Sequence, residues 1–291
     1  MGRPLGSKNK PKGTSVVKLK MTKEVPVVDN RTDEQIVDTI SERFNIYYEM
    51  VRGAADGDIT SLVASGSAGV GKTYTATWTL NSIREKLGSM FRWKQINGAA
   101  SALGLYMTAY DFRNKGNVIV LDDADRVFDD EESLNILKVL LDTSVERTVS
   151  WCTDHAAFKG DSGLPREFVY NGSMVFLTNK NFQNYIDRGT GKHVEHMEAL
   201  MSRSIYLDLK MHERREVALW AKHIVLRNKV LQGSPFYMDR EQELDAVNWV
   251  LNRRDDLREM SIRTILKVGK LMKRFPGEWE RAAELVLLRS V

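Results

Sequence analysis

Residues 66–73 read Gly-Ser-Ala-Gly-Val-Gly-Lys-Thr, which fits the pattern G-x-x-x-x-G-K-[ST] without a mismatch. Such a loop works only between a buried strand and the start of a helix. Its glycines let successive N–H groups turn inward around phosphates, and the helix N-terminus adds partial positive charge. Both flanks are present. Ile59 to Ala64 is a short, mostly apolar run that reads as a buried strand, and Leu80, Ile83 and Leu87 continue a helix beyond the loop. Gly66, Ser67, Ala68, Gly69, Val70, Gly71, Lys72 and Thr73 are therefore read as nucleotide-binding, with ATP and Mg²⁺ as cofactors. Lys72 is expected to reach the β- and γ-phosphates, and the Thr73 hydroxyl to ligate the metal. The competing reading is a chance match in a glycine-rich turn.

A phosphate loop of this kind requires a second, acidic element. Val118-Ile119-Val120-Leu121 is an apolar strand ending in Asp122-Asp123, and the segment from Lys72 to Asp122 has room for helix, strand and helix. Carboxylates at the C-terminal end of a central strand face the crevice where ligands bind. Asp122 is expected to hold Mg²⁺ through water, and Asp123 to orient or deprotonate an attacking water. The bland alternative is a solvated acidic turn, since Asp125, Asp129 and Asp130 follow closely.

Strands alternating with helices predict an α/β fold, a mostly parallel sheet covered on both faces. Further strands are expected near Phe91–Ile96, Met174–Leu177 and Ile205–Leu209, with helices around Ala102–Phe112 and Leu134–Leu141. Order should begin at Thr32-Asp33-Glu34-Gln35, a capping box leading into a helix marked by Ile36, Ile40, Phe44, Tyr47 and Val51. After Lys210 strand signals cease, and four helical stripes follow (Val217–Ile224, Leu244–Leu251, Ile262–Met272 and Trp279–Leu288). The expected division is a disordered basic arm over 1–31, an α/β core over 32–209 and a small all-helical lid over 210–291.

The order of motifs resembles an AAA+ P-loop ATPase. Phosphate loop and acidic strand are followed by Phe176-Leu177-Thr178-Asn179, then Ser202-Arg203-Ser204-Ile205-Tyr206-Leu207, then the helices with Ser261-Ile262-Arg263. The resemblance implies Asn179 as the polar sensor beside the γ-phosphate and Arg203 as a finger reaching a neighbouring subunit's ATP. It makes Arg263 a lid arginine closing over the phosphates, and the protein a homo-oligomer, ring or filament, with ATP between subunits. Arg188, Arg214 and Arg215 compete with Arg203, and Arg253, Arg254, Arg258 and Lys267 surround Arg263. The chain departs from many members in having Asp rather than Glu at 123, and in a longer stretch from Asn179 to Arg203. Compact phage-encoded members of the helicase-loader and initiator type are the nearest in style.

Charge adds a partner. Residues 1–23 carry seven cations and no acid, while the whole chain is +4, so the remainder is net −3. A basic arm on a mildly acidic body points to a polyanion, most often nucleic acid. Met1-Gly2-Arg3-Pro4 followed by Lys8, Lys10 and Lys12 resembles an AT-hook, so these four cations are read as DNA-binding. The competing reading is a solubilising tail. Trp93, between Arg92 and Lys94, offers base stacking or ordinary core packing. The pair His193 and His196 and the group Cys152, Asp154 and His155 lack zinc-site spacing and read as solvated or structural. No apolar run approaches the roughly 18–20 residues of a membrane span, no signal-like stretch follows the N-terminus, and the single cysteine excludes an internal disulfide. A cytoplasmic protein is expected, in a bacterial host if phage-encoded. The reading is an ATP-hydrolysing AAA+ protein assembling on DNA during replication, recombination or transposition, beside a replication or recombination partner. Two alternatives remain: a remodeller of polypeptides, and a DNA-binding scaffold using ATP as an assembly signal with little turnover.

Overall fold

Helix α1 (Asp33–Asp56) starts at the expected cap: Thr32 Oγ1 accepts from Gln35 N at 3.2 Å, and Thr32 N donates to Gln35 Oε1 at 2.9 Å. The computed structural model describes residues 30–98, 100–144, 146–152, 158, 164–189 and 194–289. From Thr32 onward the chain is one compact unit. Ile36, Ile40, Phe44, Tyr47 and Val51 form the buried stripe of α1.

Strand β1 (Ser61–Ser65) leads through the glycine loop into α2 (Lys72–Leu87). Then come β2 (Trp93–Asn97), α3 (Ala102–Asp111), β3 (Val118–Asp122) and α4 (Glu131–Leu140). After β4 (Thr148–Ser150) and β5 (Glu167–Val169), the chain forms β6 (Ser173–Thr178), α5 (Phe182–Arg188), α6 (Val194–Arg203) and β7 (Ile205–Asp208). The five long strands form a parallel sheet in the order β2-β3-β6-β1-β7, and β4 and β5 pair antiparallel by themselves. That small pair is not legible in the sequence, because each strand has three residues and only its middle one is buried.

The sheet is apolar on both faces, as parallel strands require. Val63, Ile119, Leu121, Met174 and Phe176 pack with Tyr106, Leu134, Leu137 and Phe182 on one side. Their neighbours Leu62, Ala64, Val118, Val120, Val175 and Leu177 pack with the α1 stripe and Leu80 on the other. Trp93 is partly buried against that second cluster, under Arg84, so it serves as core rather than as a free stacking platform. Register sets Ser65 beside Thr178, and Asp122 beside both Leu177 and Asn97, so the loop and the acids emerge from one edge of the sheet.

Four helices close the chain: α7 (Arg214–Arg227), α8 (Arg240–Asn252), α9 (Ile262–Arg274) and α10 (Trp279–Leu287). They share their own apolar cluster around Val225, Val247, Val250, Ile265 and Val268. Helix α7 belongs to two cores: Leu219 and Trp220 join the sheet-side cluster, and Ala221 and Val225 the helical one. Among the described residues no helix is long and apolar enough to cross a membrane.

Thr32→Ala removes the cap acceptor from α1 and should lower unfolding free energy by about 1 kcal/mol. Urea denaturation will show this as a lower midpoint at unchanged slope, whereas an unchanged midpoint would deny the cap its role.

Candidate functional site

The glycine loop is stitched to the sheet where β1 ends. Gly66 N donates to Thr178 O at 3.2 Å, and Ser65 Oγ to Lys180 O at 2.9 Å. Helix α2 then begins without a side-chain cap. Its N-cap is Gly71, at φ 111, a conformation in which a Cβ would be strained. The first N–H groups of α2 thus keep no intrahelical acceptor and no capping oxygen, the arrangement that receives an anion.

Around this helix end the polar side chains form two linked sets. In the first, Thr73 Oγ1 donates to Asp122 Oδ2 at 2.8 Å, and Gln95 Nε2 to the same oxygen at 3.0 Å. Asp122 is 8% exposed, and its burial raises its pKa against the lowering pull of those two hydrogen bonds and of Lys72. A hydroxyl and a desolvated carboxylate side by side are hard oxygen donors that suit Mg²⁺, which takes few protein ligands beside phosphate oxygens and water.

In the second set, Lys72 Nζ donates to Gly66 O at 2.7 Å, Ser67 O at 3.0 Å and Asn179 Oδ1 at 2.9 Å. Asn179 Nδ2 in turn donates to Asp123 Oδ1 at 2.7 Å. Asp123 sits at φ 50, a left-handed conformation that Asp tolerates better than most residues, with its N–H on Leu177 O. Lys72 is 6% exposed. Desolvation brings its pKa down to about 8; Asp123 and Asp122 oppose the shift and Arg263 adds to it.

The surrounding acids separate by their partners. Asp125 accepts from Thr178 Oγ1 at 2.8 Å, and Asp130 caps α4 through Ser133 N. Only Asp122 and Asp123 of this group line the cleft beside the loop. The arginines separate too. Arg263, second residue of α9, lines the cleft. Arg253 pairs with Glu284, Arg254 with Asp255 and Lys267 with Glu259, while Arg258 Nε donates to Leu288 O.

Arg203 is not at this site. Its carbonyl accepts from Ser61 Oγ at the opposite end of β1, and its Nε lies 3.5 Å from Asp142 Oδ2. Five strand residues, roughly 17 Å, separate that end from the loop, so Arg203 lies away from the glycine loop of its own chain. Arg214 donates to the carbonyls of Arg254 and Leu257, and Arg215 pairs with Asp33. The side chain of Arg188 lies outside the described residues, as do Arg3, Lys8, Lys10 and Lys12 of the arm, and Asp154, His155 and His193. Among the described residues no group of three or more His, Cys, Asp or Glu is placed to hold a metal.

The cleft has a volume of about 900 Å³ and extends from the loop between α1, α2 and α7, where Phe44, Tyr48, Trp78, Trp220 and Asn228 line it. Sequence reasoning missed these residues and Gln95. Trp78 carried a signal: it falls off the apolar stripe of α2 and is 51% exposed. Phe44 and Trp220 did not, because each belongs to a regular core stripe.

No family model matches the chain. Over 250 residues it is 35% identical to the uncharacterized 36.7 kDa protein of the nrdC–mobD intergenic region of enterobacteria phage T4, spanning 86% of this chain and 75% of that one. The chain belongs to the family of that phage protein. Its fold is a five-stranded parallel sheet with helices on both faces, the glycine loop following β1 and four helices at its C-terminal side. Solved structures align more loosely. A DNA replication initiation factor gives a TM-score of 0.46 at 14% identity, over 84% of this chain and 65% of that one. The Aeropyrum pernix ORC2 protein gives 0.44 at 13%, over 87% and 68%, and Brucella abortus NtrX in complex with ATP 0.41 at 14%, over 91% and 66%. The chain thus spans about two thirds of the length of each.

Because the Lys72 pKa is lowered from 10.5 to about 8 on folding, the unfolded chain binds more protons between those values, and stability rises with pH across that window. Relative to Lys72→Met, the wild type should gain stability from pH 8 towards 10.5, read from unfolding midpoints. A constant difference between the two proteins would place Lys72 in solvent.

Proposed function

We propose that this protein binds Mg-ATP at the glycine loop and hydrolyses it, and that it uses the nucleotide cycle to assemble on DNA. One observation carries the reading: Lys72, Asn179 and Asp123 form a continuous hydrogen-bonded chain beside the Thr73–Asp122 pair, all at the uncapped start of α2. A polyphosphate laid on that helix end would replace the carbonyl and amide oxygens that now accept from Lys72. Thr73 Oγ1 and Asp122 would hold Mg²⁺, which when bound neutralises charge on the β- and γ-phosphate oxygens. Asp123, oriented by Asn179, would hold a water in line with the γ-phosphate and accept its proton. Arg263 would close over the phosphates from α9. Arg203, on the far edge of the sheet, would act on the nucleotide of a neighbouring copy, so hydrolysis belongs to a ring or filament.

The DNA part of the proposal rests on the arm, where Arg3, Lys8, Lys10 and Lys12 begin a run of seven cations without an acid. Involvement in replication, recombination or transposition, a bacterial cytoplasm as its setting, and a division at residues 209 and 210 into core and lid belong to the same proposal.

The three polar roles separate in titrations of nucleotide and metal. Lys72→Ala should lose at least tenfold in nucleotide affinity or turnover, the loss of one charged partner. Asp123→Asn should keep Mg-ATP and abolish turnover, whereas Asp122→Asn should raise the Mg²⁺ requirement. Equal, mild effects of both Asp changes would remove the division of roles. An Asp123→Asn protein matching a wild type that binds ATP without turnover would favour the assembly-scaffold reading.

Each phosphate neutralised on duplex DNA adds about 0.9 to the slope of log affinity against log salt. Removing residues 1–23 should lower that slope by roughly 4 to 5 if about five of the seven cations engage, with basal turnover intact. An unchanged slope would make the arm a solubility tail.

A further inference from the structure

A phosphate cradle needs its N–H groups turned inward, and each peptide that does so turns its carbonyl outward. In this protein the outward carbonyls are taken by groups from three other helices. Tyr47 OH of α1, fully buried, donates to Lys72 O at 3.1 Å. Trp220 Nε1 of α7, 4% exposed, donates to Val70 O at 2.9 Å. Ile262 N, at the start of α9, donates to Gly69 O at 3.2 Å. The approach of α9 is close: a Cβ on Gly69 would lie 2.8 Å from Ser261 Cβ, and Gly69 itself sits at φ 72. Trp220 is stacked with Phe44 (ring centroids 4.6 Å apart) and with His223 (5.5 Å). Its hydrogen bond therefore has one direction.

We propose that Trp220 and Ile262 are positioning residues for polyphosphate: they fix the Gly69 and Val70 carbonyls outward, so that the loop's N–H groups face the ligand only while α7 and α9 are docked. Loop conformation and docking of the C-terminal helices are then one equilibrium. By linkage, polyphosphate binding tightens that docking by the same factor by which docking tightens polyphosphate. This rests on the nucleotide-binding reading above but goes beyond it, since neither residue touches phosphate, metal or water in that scheme.

Trp220→Phe keeps an aromatic ring to stack with Phe44 and His223 and deletes the indole N–H, leaving Val70 O without its donor. The expected result is a loss of roughly tenfold in affinity, equal for Mg-ATP, Mg-ADP and inorganic Mg-tripolyphosphate, with turnover at saturating ATP within about twofold of wild type. Equal loss without a base present is the readout that a simple packing or base-contact role would not produce. A loss confined to the nucleotides would make Trp220 a base contact and overturn the proposal, as would unchanged affinity for all three. Ile262→Pro tests the same idea should the first variant not fold. Proline is tolerated at the first helical position, and Ser261 is already extended (φ −163, ψ 170), as a residue before proline must be. This change removes the donor to Gly69 O and sets the proline Cδ against that carbonyl, which must move away; a uniform loss of at least roughly tenfold is expected, and unchanged tripolyphosphate affinity in a folded Ile262→Pro protein overturns the proposal. Wild-type protein that binds neither ATP nor tripolyphosphate would instead refute the nucleotide reading itself.

Discussion

A backbone peptide cannot offer its N–H to a ligand without committing its C=O to the opposite side, and in a buried loop that carbonyl must find a donor. The architecture around residues 66–73 follows from this requirement. Lys72 satisfies Gly66 and Ser67 from within the loop, and α1, α7 and α9 satisfy Lys72, Val70 and Gly69 from outside. Helices that precede and follow the sheet in sequence meet at one short loop, where each supplies a donor.

Opposite charges are buried together at the same place. Lys72 is desolvated and its charge disfavoured, while Asp122 is desolvated in the opposite sense, each partly offset by the other. Such mutual support is weak evidence for stability, because burying both charges costs about what their attraction returns. The Asp123 backbone at φ 50 adds local strain held by Leu177 O and Asn179, and strain of this kind concentrates where side-chain direction matters more than stability.

The sheet supplies the geometry for that balance. Because it is covered on both faces, the loop and the acids emerge at its strand ends, where register sets Ser65 beside Thr178 and Asp122 one residue back, beside Leu177. The arginine that precedes β7 falls at the other edge for the same reason. The two edges therefore carry different chemistry, the acids and the glycine loop at one and Arg203 at the other.

Much was legible in the residues before any coordinates. The capping box at Thr32, the loop, the apolar strand before Asp122 and the four closing helices are local patterns, set by hydrogen bonds and periodicities within a few residues of chain. Strand ends shifted by only one or two positions, since hydrophobic period locates an element better than its last hydrogen bond. The sequence could not say which of several acids or arginines belongs to the site. Asp125 and Asp122 look alike in the chain; one is consumed by Thr178 and the other faces Thr73. Nor could it show that Trp220, spaced as an ordinary core residue, turns its N–H onto Val70, or that Gln95 reaches across from β2 to Asp122. By itself the sequence determined the place of the glycine loop between strand and helix and the alternation of strands and helices, because both are encoded in short-range spacing. Tertiary structure alone decided which polar groups meet, because hydrogen bonds between residues up to 182 positions apart depend on how helices dock on the sheet.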